Sequence, residues 1–157
     1  MTPLDLTQRP PRSPRAELDG IAFLPRAIDK CRAELPGGKL GSYINLDPEI
    51  VTWSSLFYRR LGITHDEFVA VVAAAETEAE IAAWLRERID DAKLAKWHAQ
   101  LLGTRLCDIP EELRARVRAR HPAAAAMPDD VLMVDIFDAD DAQLTGARLH
   151  ERSGARE

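Results

Sequence analysis

Apolar residues recur at helical spacing along most of this chain, and the runs break at recognisable caps and turns. Phe23, Leu24, Ala27, Ile28, Cys31 and Leu35 share one face. Pro25 falls in the opening turn, where a missing N–H costs nothing, and Pro36-Gly37-Gly38 ends the run. A second stripe is Ile50, Trp53, Phe57 and Leu61; Asp47-Pro48 predicts its start and Gly62 its close. Thr64 with Glu67, and Thr77 with Glu80, are capping-box patterns ahead of Phe68-Val69 and Ile81-Trp84-Leu85. One straight helix from 78 to 102 would put Ile81, Leu85 and Ile89 opposite Leu94, Trp97 and Leu101. The pattern therefore predicts a break at Asp90-Asp91 and a new helix ending at Gly103. Pro110 opens a further helix, anchored by Leu113 and Val117, that stops at His121-Pro122. The run Val131 to Phe137 is too short for its period to separate a last helix from an edge strand.

These elements predict a mainly α fold, a single compact domain of about six helices spanning residues 21–144. Residues 1–20 form an extended Arg/Pro-rich arm packed across it. Residues 145–157 are polar, contain two glycines and read as a flexible C-terminal tail. No internal repeat appears at solenoid spacing.

Composition narrows the class. Hydrophobic residues make up 46% of 157, which suits a globular chain with its own core. A formal net charge of −5 argues against a general nucleic-acid binder and against an anionic-membrane binder. Cys31 and Cys107 are too few for a disulfide framework, and both read as reduced, buried thiols. No apolar run resembles a signal peptide or reaches the roughly 18 residues of a membrane span, so the expected compartment is the cytoplasm.

Candidate chemistry concentrates in the first third. Arg9, Arg12, Arg15 and Arg26 present planar forks of the kind that grip carboxylate or phosphate in pairs, and the prolines stiffen the arm. Asp29 lies at three-residue spacing from both Arg26 and Arg32, close enough to pair on a helix. The acidic run Asp129, Asp130, Asp135, Asp138, Asp140 and Asp141 lacks calcium-loop order and reads as solvated turn and helix caps. Arg114, Arg116, Arg118 and Arg120 are spread around their helix rather than along one stripe. His65, His98, His121 and His150 are isolated, and none makes the i, i+4 pair of a zinc helix. Cys31 has Lys30 and Arg32 beside it, but its helical phase points to the core, which disfavours a nucleophile. No metal ligand or cofactor is assigned.

The run Asp5-Leu6-Thr7, Arg9-Pro10-Pro11-Arg12-Ser13-Pro14-Arg15, followed by Leu24-Pro25-Arg26, Ile28-Asp29-Lys30, Arg32-Ala33 and Leu40-Gly41 with Tyr43, resembles the bacterial domain-of-unknown-function family numbered 5069. The match is dense over residues 4–43 and thinner over 56–102, at Phe57, Leu61-Gly62-Ile63 and Trp97. In that family the tyrosine precedes Cys-Pro-Leu-Asp; here Ile44-Asn45-Leu46-Asp47-Pro48 stands there without the cysteine. The resemblance implies a small, mainly helical bacterial protein and no particular activity. It also gathers Arg12, Arg15, Arg26, Asp29, Lys30, Arg32 and Tyr43 into one motif.

Two function classes follow. In the first, a small polar or anionic molecule binds, or is acted on, between the arm and the first helix. Arg12, Arg15, Arg26 and Arg32 would clamp it, Asp29 or Tyr43 would handle a proton or hydroxyl, and Lys30 would supply charge. In the second, the chain is an interaction module whose arm engages a partner or a second copy in a homodimer.

Overall fold

Asp19-Gly20 turns the chain back on itself between two short antiparallel strands, β1 (Glu17–Leu18) and β2 (Ile21–Ala22), with Leu18 opposite Ile21. Asp19 and Gly20 have φ of 51° and 68°, the positive pair that a two-residue hairpin needs to follow the strand twist. Phe23 comes next with φ 75° and serves as the N-cap of α1 (Leu24–Glu34). A left-handed backbone at a bulky residue costs about 1–3 kcal/mol. Burial of its ring offsets this, with centroids 5.5 Å from Phe57 and 5.6 Å from Trp97.

The computed structural model describes the backbone of residues 1–154 and the side chains of residues 1–144. Of the flexible tail expected over 145–157, the backbone of 145–154 is helical, and residues 155–157 lie outside the described residues. The mainly α class holds, with seven α-helices among the described residues. Contacts group the chain into two compact units, Met1–His98 and Ala99–Glu157.

In the first unit, α2 (Trp53–Leu61), α3 (His65–Ala74), α4 (Glu78–Arg86) and the start of α5 (Asp91–Gly103) follow α1. Both expected capping threonines, Thr64 and Thr77, accept from the N–H three residues on. The break falls where the two stripes demanded it, and the Asp90 carboxylate accepts from Lys93 N at 2.7 Å. The start of α2 differs from expectation. Asp47 folds into a local turn by accepting from Glu49 N, and Thr52 caps the helix reciprocally with Ser55. Phe23, Phe57, Phe68 and Trp97 are fully buried and stack edge to face. The Trp97 indole donates to Ala22 O at 2.9 Å, and His98 Nε2 accepts from Ala22 N at 3.1 Å, so α5 grips both polar groups of one strand residue.

The arm belongs to this unit's body. Leu4 N bonds Arg32 O and Leu6 N bonds Lys39 O, while Leu6, Pro11 and Pro14 are buried.

In the second unit, a 3₁₀ turn (Leu106–Asp108) leads to α6 (Glu111–Arg120), a second turn (Pro122–Ala126) and α7 (Met133–Gly154). The run Val131 to Phe137 opens α7 and buries Met133, Val134, Ile136 and Phe137. Two expectations are corrected here. Leu113 is exposed and α6 buries nothing, because two large apolar residues among its arginines make no stripe. Arg118 instead ties α6 down through the carbonyls of Ala124 and Met127 and the Asp129 carboxylate. Cys107 is exposed, since its single turn inserts only Leu106. The acidic run behaves as caps and ion pairs: Asp129 meets Arg114 and Arg118, and Asp140 accepts from Ala123 N and bonds His121.

Candidate functional site

Helix α1 buries three charged side chains in succession, Arg26, Asp29 and Lys30. Buried charges need partners, and each finds one outside its own helix. Arg12 reaches in from the arm, with its backbone N and its Nε both 2.9 Å from Asp29 Oδ2. Its terminal nitrogens grip Glu78 at 2.6 and 2.9 Å and also meet Asp29 Oδ1 and Pro25 O. Both carboxylates are thus held bidentately by one planar fork. Burial alone would disfavour the Arg12 charge, but the hydrogen bonds to Glu78 and Asp29 outweigh it and raise its pKa above the ordinary value. Arg26 donates to Arg12 O at 2.9 Å and lies over the Tyr43 ring at 5.8 Å.

The remaining expected residues disperse. Lys30 Nζ donates to Ile44 O at 2.7 Å and Ser54 Oγ at 3.0 Å, pinning the segment after Tyr43. Arg32 donates to Thr2 O at 2.8 Å. Arg15 is exposed, and its backbone N donates to Ser13 Oγ. The structure therefore brings Arg12, Arg26 and Asp29 together, links Tyr43 to them through Arg26, and directs Lys30 to Ile44 O and Arg32 to Thr2 O. Every guanidinium nitrogen of Arg12 already meets a protein acceptor.

A second polar cluster lies toward the other end of α1. Cys31 Sγ is 3.4 Å from the Tyr58 hydroxyl, which is 3.1 Å from Asn45 Oδ1; Asn45 Nδ2 returns to Sγ at 3.5 Å. In this closed ring each group gives one proton and takes one. Burial pushes the Cys31 thiol up to about 12 and raises the Tyr58 hydroxyl well above its usual value. One turn on, Glu34 Oε2 meets His65 Nε2 at 2.7 Å, and His65 Nδ1 lies 3.2 Å from Asp66 Oδ1. Beside this cluster opens a cleft of about 470 Å³. Its lining includes the carboxyl-bearing residues Glu34, Asp47 and Glu49, with Tyr43 and the apolar Leu40 and Ile44. A separate cleft of about 360 Å³ is lined by Arg59, Arg60, Lys93 and Lys96.

Glu34, Asn45, Tyr58, His65 and Glu78 are the participants that sequence reasoning did not single out. Glu34 sits one turn beyond Cys31, and Asn45 stands in the segment where the family pattern has its cysteine. His65 is 31 residues from Glu34, and no spacing rule connects them.

Among the described residues, no helix is long and apolar enough to cross a membrane. No curated protein matches the chain. The pattern that defines Domain of unknown function (DUF5069) matches residues 8–143, which covers the arm from residue 8 onward, the Arg12–Asp29 seam and the cleft beside α1. The chain belongs to that family.

Proposed function

We propose that this chain binds a small polar molecule carrying an amine or comparable cation on an apolar body, in the cleft between α1 and residues 40–49. One observation carries the reading: Glu34, Asp47 and Glu49 line a single cleft together with Tyr43, Leu40 and Ile44. A few polar groups on a largely apolar wall are what orient a small ligand. The chain's net charge of −5 favours attraction of a cation. This reading departs from the polar or anionic ligand expected from the arginines, and its support is that Arg12 and Arg26 are bonded to protein acceptors. Of the expected site residues, Tyr43 stays in the cleft, Lys30 braces its wall through Ile44 O, and Asp29 serves the seam.

The test is a thermal-shift screen of amines, carboxylates, phosphates and nucleotides. A ligand at 100 times its Kd adds about 2.7 kcal/mol, or roughly 5–10 °C in a chain of this size. Amines are expected to shift the melt, and the paired Asp47→Asn and Glu49→Gln changes to abolish the shift. A shift from phosphates alone would overturn this assignment and point to Arg59 and Lys93. A second reading, self-association, is favoured by exposed Leu46 and Val51 on the same segment. Light scattering decides it: a dimer mass that falls to monomer in Val51→Asp supports it, and a monomer at all concentrations sinks it.

A further inference from the structure

We infer that Cys31, Glu34 and His65 form a binding site for a divalent transition-metal ion, zinc being the chemical type that suits them. Their donor atoms all lie within 4.8 Å of one another. Bond lengths of about 2.0–2.3 Å put tetrahedral zinc donors about 3.5 Å apart. Small movements of Glu34 and His65, whose side chains are 21% and 19% exposed, would close the set. The donors are one sulfur, one nitrogen and one oxygen. That mixture fits a borderline-soft ion and does not fit calcium or magnesium, which take oxygen.

The fold brings the three together from two helices. Cys31 and Glu34 are one turn apart on α1 and share a face. His65 is the first residue of α3, which packs against α1. The 2.7 Å contact between His65 Nε2 and Glu34 Oε2 marks the place where an ion would replace a direct hydrogen bond.

An independent observation is the outer shell. A metal-bound imidazole characteristically gives its second N–H to a carboxylate, and His65 Nδ1 faces Asp66 Oδ1 at 3.2 Å. A metal-bound thiolate is steadied by donors to sulfur. Asn45 Nδ2 donates to Sγ from 3.5 Å, and the Tyr58 hydroxyl, 3.4 Å away, would turn its proton from Asn45 Oδ1 to the sulfur on binding. Binding would release the thiol proton to solvent, and the neutral imidazole would bind through Nε2 with its N–H on Nδ1 toward Asp66. The divalent ion with one thiolate and one carboxylate is then electrically neutral, which a buried sulfur requires. Three protein ligands leave a fourth position open, the arrangement of catalytic rather than structural zinc. Glu34 also lines the acidic cleft, so the ion would sit at its edge. The site rests on donor geometry and not on the amine-binding reading, so either can fail alone.

The experiment is a cobalt(II) titration of the full chain after chelator treatment, followed by zinc competition. A single ion per chain is expected, with a thiolate-to-cobalt charge-transfer band, the visible bands of tetrahedral cobalt, and displacement by zinc. Cys31→Ser should lose the charge-transfer band, His65→Gln should bind at least about tenfold more weakly, and Cys107→Ser should leave both unchanged. If Cys31→Ser fails to fold, the His65→Gln titration decides, because His65 is less buried than Cys31. Absence of the band in the wild-type chain overturns the proposal, as does its persistence in Cys31→Ser, its loss in Cys107→Ser, or unweakened binding in His65→Gln. An amine shift that persists in chelator without any cobalt band would sink the metal site and leave the cleft reading standing.

Discussion

The two ends of α1 treat buried polarity in opposite ways. Around Asp29, one guanidinium serves two carboxylates, a carbonyl closes the set, and each guanidinium nitrogen meets an acceptor. Around Cys31 and Glu34, a neutral ring of hydrogen bonds gives way to carboxylates that outnumber nearby cations and line an open cleft. A saturated charge network is a clasp, since any ligand would first have to break it. Carboxylates lining an open cleft are where a cationic ligand is proposed to bind, in competition with the contacts Glu34 makes to His65 and Asp47 makes to Glu49 N. The motif that looked most like a binding site ties the arm to α1 through Arg12 and Asp29, and the cleft proposed above to bind a ligand lies one turn further along.

The largest effect should come from breaking the clasp. Asp29→Ala strands Arg12 beside Glu78 and leaves the Arg12 N–H without its acceptor. We expect a loss of about 2–4 kcal/mol, held to that range because Arg12 keeps partial solvent contact. A thermal melt would register it as a fall of roughly 5–15 °C.

A smaller effect should follow from opening the ring at the other end. Tyr58→Phe removes the donor to Asn45 Oδ1 at a cost of about 1–2 kcal/mol, measurable by urea titration. In the intact wild-type chain a thiol reagent at mild alkaline pH should modify Cys107 alone, with Cys31 reacting only after unfolding. Rapid modification of two thiols in the native state would contradict this account of the ring.

Away from both clusters, Thr52→Ala should cost about 1 kcal/mol by removing the α2 cap. The smallest effect concerns pH. Thr64 holds the Glu67 carboxyl below its ordinary value of 4.5, so the folded pKa lies under the unfolded one. That contribution is present above pH 4.5 and disappears as pH falls through the folded pKa. Melts of Thr64→Ala and wild type between pH 3 and 6 should draw closer toward the acid end, leaving the pH-independent difference made by the bond from Glu67 N.

Much of the fold was legible because each helix carries its own punctuation. Thr64, Thr77, Asp90 and Gly62 mark ends by local hydrogen bonding, and the phase change between Ile81 and Leu94 revealed a break. The Asp19-Gly20 hairpin was equally legible and was passed over as arm. The start of α2 was misplaced because Asp47-Pro48 offers one turn signal while Thr52 and Ser55 form a better one. Leu113 and Cys107 show the limit of reading apolar residues as core, since neither element has enough apolar neighbours to be drawn inward. The candidate site was less legible. Asp29 and Arg12 stood out by residue type, but type alone does not distinguish a saturated fork from an open one. Their third partner, Glu78, comes from a helix 49 residues beyond Asp29. The convergence of Glu34, Asn45, Tyr58 and His65 depends on the packing of α1 against α2, α3 and the 40–49 segment, which no local spacing encodes.

The most direct test of this division is a side-by-side measurement of melting temperature and amine-induced shift in Asp29→Ala and in the paired Glu34→Gln and Asp47→Asn variant. The account predicts that Asp29→Ala melts lower yet keeps the shift, whereas the paired variant melts within about 1 kcal/mol of wild type and loses it. An Asp29→Ala protein with an unchanged melt and no ligand response would place the site at the arm seam and contradict the account.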